Sequence, residues 1–379
     1  MQVLLLGEYS RLHNNLKEGL VSLGHEVTLV GDGDGFKNFD VDISIRPSFF
    51  SLPGIDLIRK AIFRITKFDL FTLEKGIKFS RKLKQLKGYD VVQLINEKPI
   101  KTMPWLERRL LKKIIANNGT VYLLSCGADT FVVNFLLAQK PKYSILTPYL
   151  NDPSLKPTVQ YILDYAKKGH RKTHELLMKH VKGIIASDMD YVLPLEGHPK
   201  FKGLIPNPVN LERMEYKPLS ITDKINIFLG INRGNRFAKG VPFFEKALKI
   251  IQEKYPSAVN IVTVTNLPYK EYIVLFEEAH ILLDQVFGYD QGYNALEAMA
   301  RGKVVFTGAE TEFLQHYGLQ EDEVCINALP DVDYLVSKLS WLVENKDAIT
   351  RIGANARTFV EKEHEYRKVA QKYLDTWTS

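Results

Sequence analysis

Cysteine is nearly absent: Cys126 and Cys325 are the only two in 379 residues. Two thiols so far apart in sequence give no disulfide framework, and a reducing cytoplasm is the expected setting. Long apolar runs are missing as well. No stretch approaches the roughly 18 uncharged apolar residues that a spanning helix needs. The start, "MQVLLLGEYS", has a short apolar run with no basic segment ahead of it, so it reads as a first strand rather than a secretion signal. The dinucleotide fingerprint G-x-G-x-x-G is missing too. The loop after the first strand is Gly7-Glu8-Tyr9-Ser10-Arg11, with one glycine, which speaks against NAD or FAD there. A second glycine cluster, "GDGDG" from Gly31 to Gly35, offers Asp32 and Asp34 as metal ligands. A calcium loop would need another oxygen at position 36, which is Phe36, so the cluster reads as a turn. There is no repeat and no low-complexity tract.

What is present is ordinary in bulk, with 45% hydrophobic and 25% charged residues, as in a soluble globular protein. A formal charge of +7 hints at an anionic partner. Strand-like runs alternate with helical patterns from the first residue: "QVLLLG", "NNLKEGLVSLG" and "HEVTLVG" read as β-α-β. "YDVVQLI", "VYLLSCG" and "KGIIASD" continue the series, and "PTVQYILDYAKKGHRKTHELLMKHV" reads as one long helical stretch. A second series runs through "KINIFLGIN", "AVNIVTVTN", "AHILLDQV", "KVVFTGA" and "EVCIN". Between the two lies "LIPNPVNLERMEY", rich in proline and asparagine, which reads as a linker. The expectation is an α/β chain of two Rossmann-like parallel-sheet domains. One spans 1–203 and the other 204–361, and the chain ends on a helical pattern over 362–379.

Two loops of the second series carry chemistry. "FLGINRGNRFAKGVPFFEKAL" sets Arg233, Arg236 and Lys239 on a glycine-bearing loop after a strand. Such cations suit a pyrophosphate, although a basic loop can also be merely solvated. "LLDQVFGYDQGYNALEAMARGKVVFTG" places Asp290, Gln291, Gly292, Tyr293 and Asn294 just before an alanine-rich helix. The free amides of a helix start form an anion site, Gly292 lets a ligand approach the backbone, and Asn294 is a candidate N-cap. Glu297 then has two readings. It can close a capping box with Asn294, or accept bonds from ribose hydroxyls.

"GINRGNRFAKG" followed by "GYDQGYNALEAMARGKVVFTG" resembles the donor site of retaining GT-B glycosyltransferases, family 4 in particular, with two Rossmann-like domains facing a central cleft. "PNPVN" before the second domain is similar to that family as well, and the resemblance implies that the terminal helix over 362–379 crosses back to the first domain. The resemblance is specific over 205–310 and implies a nucleotide-diphosphate sugar donor, a hydroxyl acceptor and no metal cofactor. It makes Arg233 and Lys239 the diphosphate grip and Glu297 the ribose contact. Where the family has a sugar-reading glutamate this chain has Tyr289, and Asp290 is the nearest carboxylate. The family's amino-terminal histidine has no counterpart in "SCGADT", which leaves Asp129 as the ionisable residue of that loop. The expected catalytic set is therefore Arg233, Lys239, Asp290 and Asp129. The expected donor-binding set is Gly7, Asn266, Gln291, Gly292, Tyr293, Asn294 and Glu297. A nucleotide-sugar epimerase of the same fold and a non-catalytic nucleotide-sugar binder are the alternatives.

Residues 55–88 carry ten cations against three acids, with Phe63, Phe68, Phe71 and Phe79 interleaved and Ile58, Ile62 and Ile65 on one helical face. This pattern suits docking on an anionic membrane surface, where a lipid-linked or other glycan acceptor would wait. That would make the protein peripheral on the inner face of the cell membrane, in cell-surface polysaccharide or glycolipid synthesis. An ordinary amphipathic helix or a groove for a soluble anionic acceptor fits the same residues. No nucleic-acid-binding motif accompanies the charge, and no nucleic acid is expected as a partner.

Overall fold

A computed structural model describes residues 1–66, 68–221 and 223–379. Two compact units emerge, the first made of Met1–Asn134, Ile162–Pro208 and Tyr366–Ser379, the second of Phe135–Tyr161 and Val209–Glu365. Each is built on one parallel sheet. The first unit has β1 (Gln2–Leu6), β2 (Glu26–Gly31), β3 (Ile43–Ser44), β4 (Val91–Leu94), β5 (Thr120–Ser125), β6 (Gly183–Ala186) and β7 (Phe201–Leu204). Their order is β3-β2-β1-β4-β5-β6-β7, all neighbours parallel. The second unit has β8 (Ile225–Ile231), β9 (Val259–Thr265), β10 (Ile281–Leu283), β11 (Val304–Thr307) and β12 (Ile326–Asn327). These run β12-β11-β10-β8-β9, again parallel throughout.

The strands read as unbroken apolar runs because helices cover both faces of such sheets. Val3, Leu4, Leu5 and Leu6 are all buried, as are Ile281, Leu282 and Leu283. Strand order reverses between β1 and β4 in one unit and between β8 and β10 in the other. Crevices for ligands open at the carboxyl ends of strands at such reversals.

The observed units depart from the expected division by a few residues at its edges, with 204–208 in the first unit and 362–365 in the second, and by one whole segment. Residues 135–161 group with the second unit, although their sequence neighbours on both sides belong to the first. The long helix expected through "PTVQYILDYAKKGHRKTHELLMKHV" is also interrupted. It forms helices over Lys156–Leu163 and Lys168–His180 with a tight turn at Asp164–Ala166. Lys167 is extended (φ −75°, ψ 151°), and the Tyr165 hydroxyl accepts a bond from Asn96 Nδ2 at 3.2 Å. A tertiary anchor thus overrides a helical pattern just where the chain passes between units. The closing helix, Tyr366–Thr378, packs in the first unit, where Trp377 Nε1 donates to Gln93 Oε1 at 3.1 Å.

Candidate donor site

In the second unit the loops after β8 and β10 meet at the strand reversal. The β8 loop turns tightly at Arg233–Asn235, where Asn232 Oδ1 accepts the Gly234 amide at 2.8 Å. Asn266, at the end of β9, accepts the Arg233 amide at 3.1 Å and so fixes the start of this loop. The exposed Arg233 guanidinium has no hydrogen-bond or ion-pair partner among the described residues. Arg236 instead forms a two-pronged ion pair with Glu245. That leaves Arg233 and Lys239 as the candidate phosphate cations of the loop.

Lys239 is held in place at both ends. Its carbonyl accepts the Val286 amide at 3.0 Å, and its Nζ lies 2.8 Å from Asp284 Oδ1. Gly240, next in sequence, has φ +69°, and a Cβ there would stand 2.6 Å from Val286 Cβ. Only glycine lets the two loops close on each other.

The helix after β10 runs Tyr293–Ala300, with Gly292 as its N-cap. This corrects the expected capping box, because Asn294 lies inside the helix. Its side chain is turned to other work: Nδ2 donates to Asp284 Oδ1 at 3.0 Å, and Oδ1 accepts the Tyr272 hydroxyl at 2.9 Å. Glycine offers no side chain to cap the first amides, and nothing lies within 4 Å of where a Gly292 Cβ would be. A helix start beneath open space favours an anion. Tyr293 and Glu297 are half-buried, Glu297 one turn further along.

Asp290 and Gln291 are buried. Asp290 Oδ1 accepts the Gln291 amide at 2.7 Å. Gln291 Nε2 donates to the Gly308 carbonyl at 2.8 Å, so its side chain ties the loop to the end of β11. Tyr289 is a packing residue. Its hydroxyl accepts the Lys142 amide at 2.8 Å, and its ring lies 5.6 Å from that of Tyr143. Beside it Glu310 accepts Lys142 Nζ at 2.8 Å, Asn327 Nδ2 at 3.0 Å and the Tyr143 hydroxyl. Burial alone would raise the Glu310 pKa, but these donors hold it below the usual carboxylate range. Glu310 and the 135–161 segment it anchors were not singled out from the sequence, where nothing periodic marks them.

The remaining candidates lie in the first unit. Gly7 ends β1 with φ +85°, and a Cβ would meet Ile95 Cγ2 at 2.3 Å. Asp129 is fully buried, accepting the Ser125 hydroxyl and the Val132 amide. Burial, and then the charge of Glu97, push its pKa up to about 7. Glu97 accepts Thr130 Oγ1 and His174 Nδ1, each at 2.6 Å. A histidine absent from "SCGADT" is thus delivered to that loop by the Lys168–His180 helix. The "GDGDG" segment is a turn, with positive φ at Gly33, Asp34 and Gly35. Asp32 there is neutralised by Lys75 at 2.6 Å and Lys101 at 3.0 Å.

Two parallel α/β sheets, one per unit, are the architecture of GT-B proteins, and solved structures agree. The whole chain aligns with 98% of a sucrose-phosphate synthase from Thermosynechococcus elongatus at 14% identity and a TM-score of 0.61. It aligns over its full length with 99% of HepE from Anabaena, solved with UDP and glucose, at 10% identity and a TM-score of 0.60. A glycosyltransferase from Rickettsia africae aligns over 97% of its own length and 99% of this chain, at 13% identity and a TM-score of 0.55. Identities this low carry the fold alone. Residues 235–375, which hold Lys239, Asp284 and the helix at Tyr293, match the glycosyl transferase-like family model, which reads the chain as an enzyme of the glycosyltransferase type. No curated protein sequence matches. The resemblance drawn from "GINRGNRFAKG" and "NALEAMARG" is thereby borne out.

Proposed function

We propose that this protein is a retaining glycosyltransferase that moves a sugar from a nucleoside-diphosphate sugar to a hydroxyl acceptor without a metal ion. The observation that supports this is that the β8 loop bearing Arg233 and Lys239 and the helix that starts after Gly292 lie at one strand reversal, where Asp284 Oδ1 takes bonds from both Lys239 Nζ and Asn294 Nδ2. Cations and amides fixed in advance stabilise charge as it develops on a leaving diphosphate. In the transfer, the bond from the sugar's anomeric carbon to the diphosphate breaks. The acceptor oxygen bonds to that carbon on the same face, and its proton passes to the departing phosphate. Glu297 would hold the ribose, and Asp290 would act through the loop that reads the sugar. That HepE was solved with UDP and glucose supports a nucleotide-sugar donor.

The acceptor is proposed to be a glycan or lipid-linked saccharide at an anionic membrane surface on the cytoplasmic side. No helix among the described residues is long and apolar enough to cross a membrane. The Pro53–Thr66 helix supports surface docking: it buries no residue, and Leu57, Ile58 and Ile65 are 68%, 61% and 82% exposed. Arg64, Arg81, Lys82, Lys84 and Lys87 of the same basic stretch are exposed, whereas Lys75 is paired with Asp32, and Lys67 lies outside the described residues. Each cation near anionic lipid contributes about 1 kcal/mol.

A thermal-shift screen of UDP, GDP, ADP and CMP with and without EDTA tests the donor reading. Stabilisation by a diphosphate, unaffected by EDTA, is expected. Loss of binding with EDTA overturns metal independence. Donor turnover that needs no acceptor would favour the epimerase alternative, and binding without turnover the binder. Sedimentation with vesicles of graded anionic lipid content at low and high salt tests the docking, and binding that ignores both would refute it.

A further inference from the structure

One buried carboxylate at the donor site has no role in the reading above. Asp284 directly follows β10, and its amide donates to the Phe306 carbonyl at 2.9 Å, so its backbone is an extension of the sheet. Its side chain is 1% exposed. Oδ1 takes two bonds, from Lys239 Nζ at 2.8 Å and from Asn294 Nδ2 at 3.0 Å. Oδ2 is buried with no hydrogen-bond partner among the described residues. One oxygen therefore joins three pieces: the β8 loop that carries Lys239, the rigid end of β10, and the first turn of the Tyr293–Ala300 helix. Asn294 is braced in turn by the Tyr272 hydroxyl.

We propose that Asp284 is a positioning residue, which holds the Lys239 ammonium and the helix start in register so that both meet the same diphosphate. The inference rests on the donor-site reading of Lys239. Lysine is a point charge on a flexible four-carbon stem, so its value to a ligand depends on what fixes it beforehand. An ammonium has three donors, and one bond to Asp284 leaves two for phosphate oxygens. The Lys239 side chain is 29% exposed, which leaves it open to such a ligand. A carboxylate beside a phosphate site could instead weaken binding by repulsion. Here its charge is already offset by Lys239 itself, so orientation outweighs repulsion.

The two accounts differ in sign. Asp284→Asn keeps the shape and removes the charge, and Asp284→Ala removes the whole tether. Dissociation constants for UDP, GDP and ADP, and for the matching nucleosides, would be measured by calorimetry alongside melting temperature. Diphosphate binding is expected to weaken about tenfold in Asp284→Asn and further in Asp284→Ala, with nucleoside binding unchanged. In a Lys239→Met background Asp284→Asn should add nothing to the loss, whereas a merely structural role would still add to it. Tighter diphosphate binding in Asp284→Asn overturns the proposal in favour of repulsion. Equal losses for diphosphate and nucleoside overturn it in favour of general damage to the unit. If the unaltered chain binds no diphosphate, the donor-site reading falls and this inference with it. Normal binding with an unaffected Asp284→Asn removes this inference alone.

Discussion

The two strand reversals, β1/β4 in the first unit and β8/β10 in the second, are the same topological device put to opposite uses. At β8/β10 the loops leave an arginine with no side-chain partner among the described residues, a partly exposed lysine and open space above Gly292. At β1/β4 the equivalent position is filled. Gly7 sits against Ile95 and Pro99, and Glu8 is buried with its Oε2 bonded to the Asn14 amide and side chain, each at 2.8 Å. Lys101, which donates to the Glu8 carbonyl, is paired with Asp32. Topology decides where a crevice can open, and side-chain accounting decides whether an anion finds free donors in it.

The sharpest way to break this comparison is to put the same methyl group on each side. Gly7→Ala adds a Cβ at φ +85° into Ile95 and should cost about 2–4 kcal/mol of stability, from left-handed strain and overpacking together. Gly292→Ala adds it at φ −80° into open space, so the melting temperature should hold while diphosphate affinity falls. A Gly292→Ala variant that melts early and binds normally would mean the space above the helix start is not a ligand site.

Next in size is Lys239→Ala. Loss of a charge-assisted contact of roughly 1.5–3 kcal/mol should weaken diphosphate binding tenfold or more. Unchanged affinity for every nucleoside diphosphate would remove Lys239 from the site. Glu297→Gln should have a smaller effect, lowering affinity with little change in melting temperature, since Gly292 rather than Asn294 caps the helix. A fall in melting temperature with intact affinity would make Glu297 structural.

These contrasts also mark what could be read from the chain alone. The strands were legible because parallel sheets buried on both faces leave continuous apolar runs, and the β8 and β10 loops because glycine and cations stand out against them. The helix start was misplaced by two residues. Asn294 has the chemistry of a cap, but a buried Asp284 ten residues earlier claims its side chain, and only tertiary contact reveals that. His174 reaches Glu97 from a helix 77 residues away in sequence, a distance no motif spacing encodes. The attachment of residues 135–161 to the second unit depends on Tyr289 and Glu310, whose partners are likewise remote.

The smallest expected effect separates the units by pH. In the first unit burial raises Glu8 to about 8 and Glu107 to about 7. A free glutamate titrates near about 4.3, so between these values the folded unit holds protons the unfolded chain has lost. Their stabilisation is complete at acid pH and disappears as pH rises through 7 and 8. His13 works the other way, since burial lowers it to about 3, but its contribution is finished once pH exceeds the usual histidine value of about 6.5. Above that point, of these three groups only the two glutamates still change, and their part falls. The second unit differs, because burial lowers Lys303 to about 8, which makes its stability rise with pH from there towards the usual lysine value. Hydrogen-exchange protection factors measured from pH 6.5 to 8.5 should therefore fall in β1, β4 and β5 and hold in β8, β10 and β11. Glu8→Gln cannot ionise and should flatten the decline in the first unit without altering the second. Equal pH slopes in both sheets, or a Glu8→Gln variant that declines as before, would show that the buried carboxyl at β1/β4 is not what distinguishes the two reversals.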